Sequence, residues 1–161
     1  MATGGIKGYL AEAVRTAGRS LDFRGRSTRS ELLTYYFASI FFGLVLGIAL
    51  FPFLEPEQEQ VASRVLAWVL NAPILALLIR RLHDQDRSGS WAWLLAFPVG
   101  YTAASDLVST IGGVDERLAY DRFTWFLYWP SLACTVLMLI AAFLPGTAGP
   151  NRFGTDPRGR E

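Results

Sequence analysis

Residues 32–54 read LLTYYFASIFFGLVLGIALFPFL, and this stretch decides the fold. It runs for 23 residues without a charge. As an α-helix it extends about 34 Å, against a hydrocarbon core of about 30 Å. Gly43 and Gly47, four apart, form a small-xxx-small spacing that lets a second helix approach closely. Pro52 stands at the far end, where a lost backbone hydrogen bond costs least.

Three more apolar blocks follow. Residues 61–79 form the second, interrupted by Arg64, Asn71 and Pro73. Glu55, Glu57 and Glu59 precede it, and Arg80 and Arg81 follow it. Asn71, at mid-depth, is expected to face another helix, because an amide exposed to lipid lacks a partner. The third block, 91–108, opens with Trp91 and Trp93, residues suited to a membrane interface. Pro98 and Gly100 predict a kink, and Asp106 falls about 22 Å along the helix, close to the opposite interface. The fourth block, 123–144, opens with Trp125, Tyr128 and Trp129 and ends at Pro145-Gly146.

The composition agrees. The chain has 161 residues, enough for one domain, and 52% of them are apolar. Charged residues make up 18%, below the roughly 25% of an average soluble domain, and they crowd between the apolar blocks. A net charge of +1 supplies no global basic field, so no nucleic-acid partner is expected. Cys134 is the single cysteine, which excludes an internal disulfide and any C-x-x-C metal motif. The first thirty residues lack a continuous apolar core, so no cleavable signal peptide is expected and the first span serves as its own insertion signal.

Orientation follows from lysine and arginine. Lys7, Arg15, Arg19, Arg24, Arg26 and Arg29 precede the first span; Arg80, Arg81 and Arg87 lie between the second and third; Arg152, Arg158 and Arg160 follow the fourth. The opposite side holds Arg117 and Arg122, and Arg64 near the start of span two. Four spans with both termini in the cytoplasm fit this bias, and an odd number would spoil it. Residues 1–21 form a separate cytoplasmic segment. In it Ile6, Tyr9, Leu10, Ala13, Val14 and Ala17 recur at helical spacing, as in a short amphipathic helix lying on the membrane surface. Residues 22–157 form the membrane domain, and 158–161 a short tail. The fold class is thus all-α, an integral membrane bundle of four transmembrane helices.

Three polar clusters mark the cytoplasmic side. DFRGRSTRSE (22–31) precedes span one, RRLHDQDRSG (80–89) follows span two, and PGTAGPNRFGTDP (145–157) follows span four. These motifs, in this order, resemble the DUF805 family of small bacterial inner-membrane proteins. The resemblance covers Phe23 to Pro157 and implies a small multi-pass helical bundle in the plasma membrane with no characterised activity. Leu33 stands where the family usually carries tryptophan, Ser90 interrupts a Gly-Trp step, and Phe153 replaces a more usual tyrosine.

The candidate site residues are Arg26, Arg29, Glu31, Arg81, His83, Asp84, Asn151 and Asp156. Topology brings them to one membrane face, where they suit an ion-pair clasp holding helix ends together, or contact with an anionic lipid phosphate. Arg64 and Asp106, both near the outer interface, are expected to pair. His83-Asp84-x-Asp86 could offer one nitrogen and two carboxylates to a divalent metal, or a general base beside an acid, but a lone histidine next to aspartate in a basic loop is more often a hydrogen-bonded interface residue. No nucleophile motif or phosphate-binding loop is present, so neither an enzyme nor a cofactor is expected. The favoured reading is a membrane scaffold or interaction protein, with anionic lipid, a homo-oligomer or a membrane-protein partner as its contacts. The alternative is an oligomeric small-solute or ion transporter or channel.

Overall fold

The computed structural model describes residues 5–19 and 21–159. They form helices α1 (Ile6–Gly18), α2 (Arg29–Leu50), α3 (Pro56–Asp84), α4 (Ala96–Phe123) and α5 (Trp125–Phe143), with 3-10 turns at Phe51–Phe53 and Gly89–Leu95. Among the described residues there is no strand, and the fold is all-α. Four helical stretches among them are long and apolar enough to cross a membrane: Arg29–Phe53, Pro56–Asp84, Gly89–Phe123 and Trp125–Phe143. Phe37, Phe41, Leu44, Val69, Leu107 and Leu137 on these stretches are exposed. Apolar surface on this scale is stable in contact with acyl chains and not with water.

The chain divides into two compact units, one of Met1–Gly89 with Pro145–Glu161 and one of Ser90–Leu144. In the first, α2 begins on Thr28, whose side-chain oxygen accepts from the Glu31 N–H at 3.1 Å. This N-cap starts the helix three residues before the expected span. α3 begins five residues before its apolar block, within the acidic stretch. Pro56 occupies its first turn, and Glu55 and Gln58 form a reciprocal capping box. Hydropathy alone does not register that cap. α2 and α3 pack closely where Gly43 lies: a β-carbon there would sit 3.3 Å from Leu70 Cδ1. Gly47 instead meets the ring of Phe51 from its own segment. One turn before Pro73, which lies inside the continuous α3, the Tyr35 hydroxyl donates to the Leu70 carbonyl at 2.9 Å. Asn71 departs from expectation. Its side chain is exposed, and its amide donates to the Ala67 carbonyl of its own helix at 2.7 Å. The one-turn-back carbonyl supplies the partner that a neighbouring helix was expected to provide.

On α1 the inward residues are small. Ala13 and Thr16 are buried, whereas Tyr9, Leu10, Val14 and Ala17 are exposed. The Thr16 hydroxyl donates to Glu31 Oε1 at 3.3 Å, tying α1 to α2.

In the second unit the 3-10 turn occupies the start of the expected third span, so α4 opens at Ala96 and runs on past Asp106. It breaks at Gly113, whose φ of 85° and ψ of −170° suit glycine alone. Ser105 and Asp121, from either side of this break, are joined by a 2.9 Å hydrogen bond. α5 follows after the single residue Thr124.

Candidate functional site

The last carbonyls of a helix have no partner within it. At the C-terminus of α3 the chain solves this with two remote segments. The Ser27 N–H donates to the Arg80 carbonyl at 3.1 Å. The Thr147 N–H and hydroxyl both donate to the Asp84 carbonyl, at 2.8 and 3.0 Å. The Asn151 side-chain amide donates to the His83 carbonyl at 2.9 Å. The Arg87 N–H returns to the Leu82 carbonyl at 3.0 Å, with Asp86 in the left-handed conformation (φ 57°) that this helix stop requires.

Asp84 is fully buried at that end of the helix, where the helix dipole disfavours a carboxylate. Among the described residues three arginines compensate. Arg26 Nε donates to Oδ1 at 3.0 Å, and its Nη2 lies 2.8 Å from the same oxygen. Arg81 Nη1 pairs with Oδ2. Arg158 Nη2 reaches Oδ1 at 2.7 Å and Oδ2 at 2.8 Å. Arg26 also donates through Nη1 to the Gly149 carbonyl and through Nη2 to the Thr147 carbonyl, both at 2.6 Å. Asp156 accepts from Arg158 Nε at 2.9 Å and from the Arg158 N–H at 3.0 Å. These bonds, the backbone one foremost, hold its carboxyl below the ordinary aspartate range. Asp22 is likewise held low, first by the Arg19 side chain and then by the Arg24 N–H.

Gly146 must be glycine here. A β-carbon would overlap Asp84 Oδ2 and lie 2.5 Å from Arg158 Nη2. His83 Nδ1 lies 3.1 Å from the Gly25 carbonyl, and its ring stacks on Phe153 at 3.9 Å and 6°. The ring face makes this contact, so phenylalanine serves where the resemblance led one to expect tyrosine. Arg152 Nε pairs with Asp86 Oδ1 at 3.1 Å.

The structure therefore joins Arg26, Arg81, His83, Asp84, Asn151 and Asp156. Glu31 is one helix turn away in the same unit, 3.4 Å from Arg80 Nη1. Arg80 is fully buried, and its guanidinium makes no hydrogen bond among the described residues. Arg29 opens α2 and is exposed. Arg64 is on α3 of the first unit; Asp106 is on α4 of the second, where it lies 3.9 Å from Arg117. Sequence reasoning passed over Arg80, Thr147 and Arg158 as site residues. The division after residue 157 separates Arg158 from the cluster it completes. Its only local signal was a third arginine-bearing segment on the same expected face. His83, Asp84 and Asp86 each bond a different partner, and among the described residues no three His, Cys, Asp or Glu side chains converge on a metal position.

Four apolar spanning helices and a buried ion-pair cluster capping one of them define a small multi-pass membrane protein. The chain belongs to the DUF805 family, described as "Protein of unknown function (DUF805)", whose profile matches residues 20–155. It is 29% identical to inner membrane protein YhaI of Escherichia coli K12 over 138 residues, covering 86% of this chain and 87% of that one. Inner membrane protein YhaH of the same organism is 27% identical over 140 residues, with 86% and 88% covered. The uncharacterized protein YiiR is 31% identical over 138 residues, with 84% and 85% covered. No solved structure matches the chain.

Proposed function

We propose that this is a protein of the bacterial inner membrane, with both termini in the cytoplasm, that acts as a scaffold or interaction protein through a basic cytoplasmic face. The closed set of bonds around Asp84 carries this reading. Both carboxylate oxygens are occupied, and every nitrogen of the Arg26 guanidinium has a protein acceptor. Such a cluster fixes chain segments against one another, which is a structural role. Because the N-terminal loop, the α3 terminus and the C-terminal segment meet there, they share one membrane face. The excess of arginine in those segments makes that face cytoplasmic. The likeness to the named inner membrane proteins supports the location. Arg24, Arg29, Arg87 and Arg152 are exposed on this unit and suit anionic headgroups or an acidic partner surface.

Reporter fusions test the topology: green fluorescent protein is expected to fluoresce at both termini, and alkaline phosphatase to be inactive at both. Native mass spectrometry is expected to retain phosphatidylglycerol or cardiolipin on the wild type, with less on R29S/R87S. Solute or ion flux through reconstituted liposomes, absent from empty ones, would favour the transporter reading and overturn this one.

A further inference from the structure

Asn71 lies midway along α3, between Pro56 and Asp84, in a run from Val65 to Ile79 that carries no charge. It is thus at the depth of the acyl chains, and its side chain is exposed. The bond to the Ala67 carbonyl uses one of its two amide N–H donors. The other N–H and the Oδ1 acceptor have no partner among the described residues, and hydrocarbon supplies none. Ala67, Trp68 and Leu75, three or four positions from Asn71, share its face of the helix and are exposed too. α2 does not cover this stripe: it meets α3 at Leu70, about 100° round the helix from Asn71.

We propose that this stripe of α3 docks on the same stripe of a second copy of the chain, with the two Asn71 amides hydrogen-bonded to each other. Copies in one membrane insert in one orientation, so a two-fold axis along the membrane normal sets each residue opposite itself at equal depth. An amide is its own complement there: each Oδ1 accepts from an N–H of the other. Ala67, one turn away, is small enough to let the two backbones approach. The second unit of the same chain offers a poorer partner. On its spans the hydroxyls of Thr102, Ser105, Ser131 and Thr135 already donate within that unit, so their protons are committed. A lone amide in an apolar seam fixes the register and the parallel pairing of two helices. Such a dimer gives the interaction reading above a partner. It requires that α3 spans, whichever side the termini occupy.

The test uses the full chain in membranes of an expressing bacterium, with Cys134→Ala removing its single cysteine. Oxidation by copper phenanthroline should link Ala67→Cys and Leu75→Cys into disulfide dimers. It should leave Val69→Cys monomeric, since Val69 is exposed but about 160° round the helix from Asn71. A second measurement uses chains fused to donor or acceptor fluorescent proteins and diluted in liposomes. There Asn71→Leu, at an exposed position bonded only to its own helix, should weaken dimerisation by about three- to thirtyfold. Seam variants that stay monomeric would overturn the proposal, including the case in which the second unit shields Leu75→Cys from a membrane-permeant maleimide. So would equal linking at Val69→Cys, or energy transfer unchanged by Asn71→Leu. Solute flux through liposomes would overturn the scaffold reading and leave the dimer standing, whereas monomeric seam variants would do the reverse.

Discussion

Arg158 and Asp84 are 74 positions apart in sequence, yet one guanidinium nitrogen of Arg158 lies within 2.8 Å of both Asp84 carboxylate oxygens. The C-terminal segment is thereby fastened to the end of α3, where its own Thr147 and Asn151 complete the helix cap. One carboxylate thus organises the first unit's polar end.

Replacing Asp84 removes the shared partner of two arginines that are almost wholly buried. Asp84→Ala should destabilise the protein by about 3–5 kcal/mol, the usual effect of stranding a buried charge. Asp84→Asn should cost less, since it keeps one acceptor. Unfolding in mixed micelles measures both, and a wild-type midpoint for Asp84→Ala would contradict the clasp.

Arg26 and Arg158 should rank differently. The Arg26 side chain is 1% exposed and bonds four residues, Asp84, Thr147, Gly149 and Gly154, whereas that of Arg158 is 25% exposed. Arg26→Ala should therefore cost about 3 kcal/mol and Arg158→Ala about 1 kcal/mol. The same unfolding series gives the order, and equal values would mean that Arg26's carbonyl bonds add nothing.

Gly146→Ala forces a methyl group against Asp84 and Arg158. A loss of about 1–3 kcal/mol is expected, as for other overpacked sites. Because the strain is relieved by detaching the segment after Pro145, trypsin should cut at Arg152 faster than in the wild type.

Acid should loosen the same segment. Bonds from Arg158 lower the Asp156 carboxyl below its unfolded value of about 3.9, so the carboxylate's contribution is complete above about pH 4. It is lost as pH falls through the lowered value, when the folded form must also take up a proton. An NMR titration following the Asp156 carboxyl and the Gly159 amide, which donates to the Asp156 carbonyl, checks this. A carboxyl titrating at or above the unfolded value would refute it.

Much of the site was readable one residue at a time. Arg26 and Asp84 flank spans in segments of like charge bias, and four spans bring those segments together. The pairing itself was not readable. Nothing near Arg158 distinguishes it from Arg160, and Arg80 and Arg81 are adjacent arginines that end with different partners, Glu31 and Asp84. Span edges were misjudged where capping governs them, as at Glu55, Pro56 and Gln58 ahead of α3.

Long uncharged runs leave a chain no stable solvent but the bilayer, and this the sequence determined unaided: an all-α membrane protein with four spans. A helix satisfies its own backbone, so no distant residue is needed to settle that. Which arginine meets which carboxylate, and which glycine must stay bare beside them, was decided only by the tertiary structure. Those contacts join positions far apart in the chain, and their energies depend on separation and burial in space, quantities that adjacent residues do not encode.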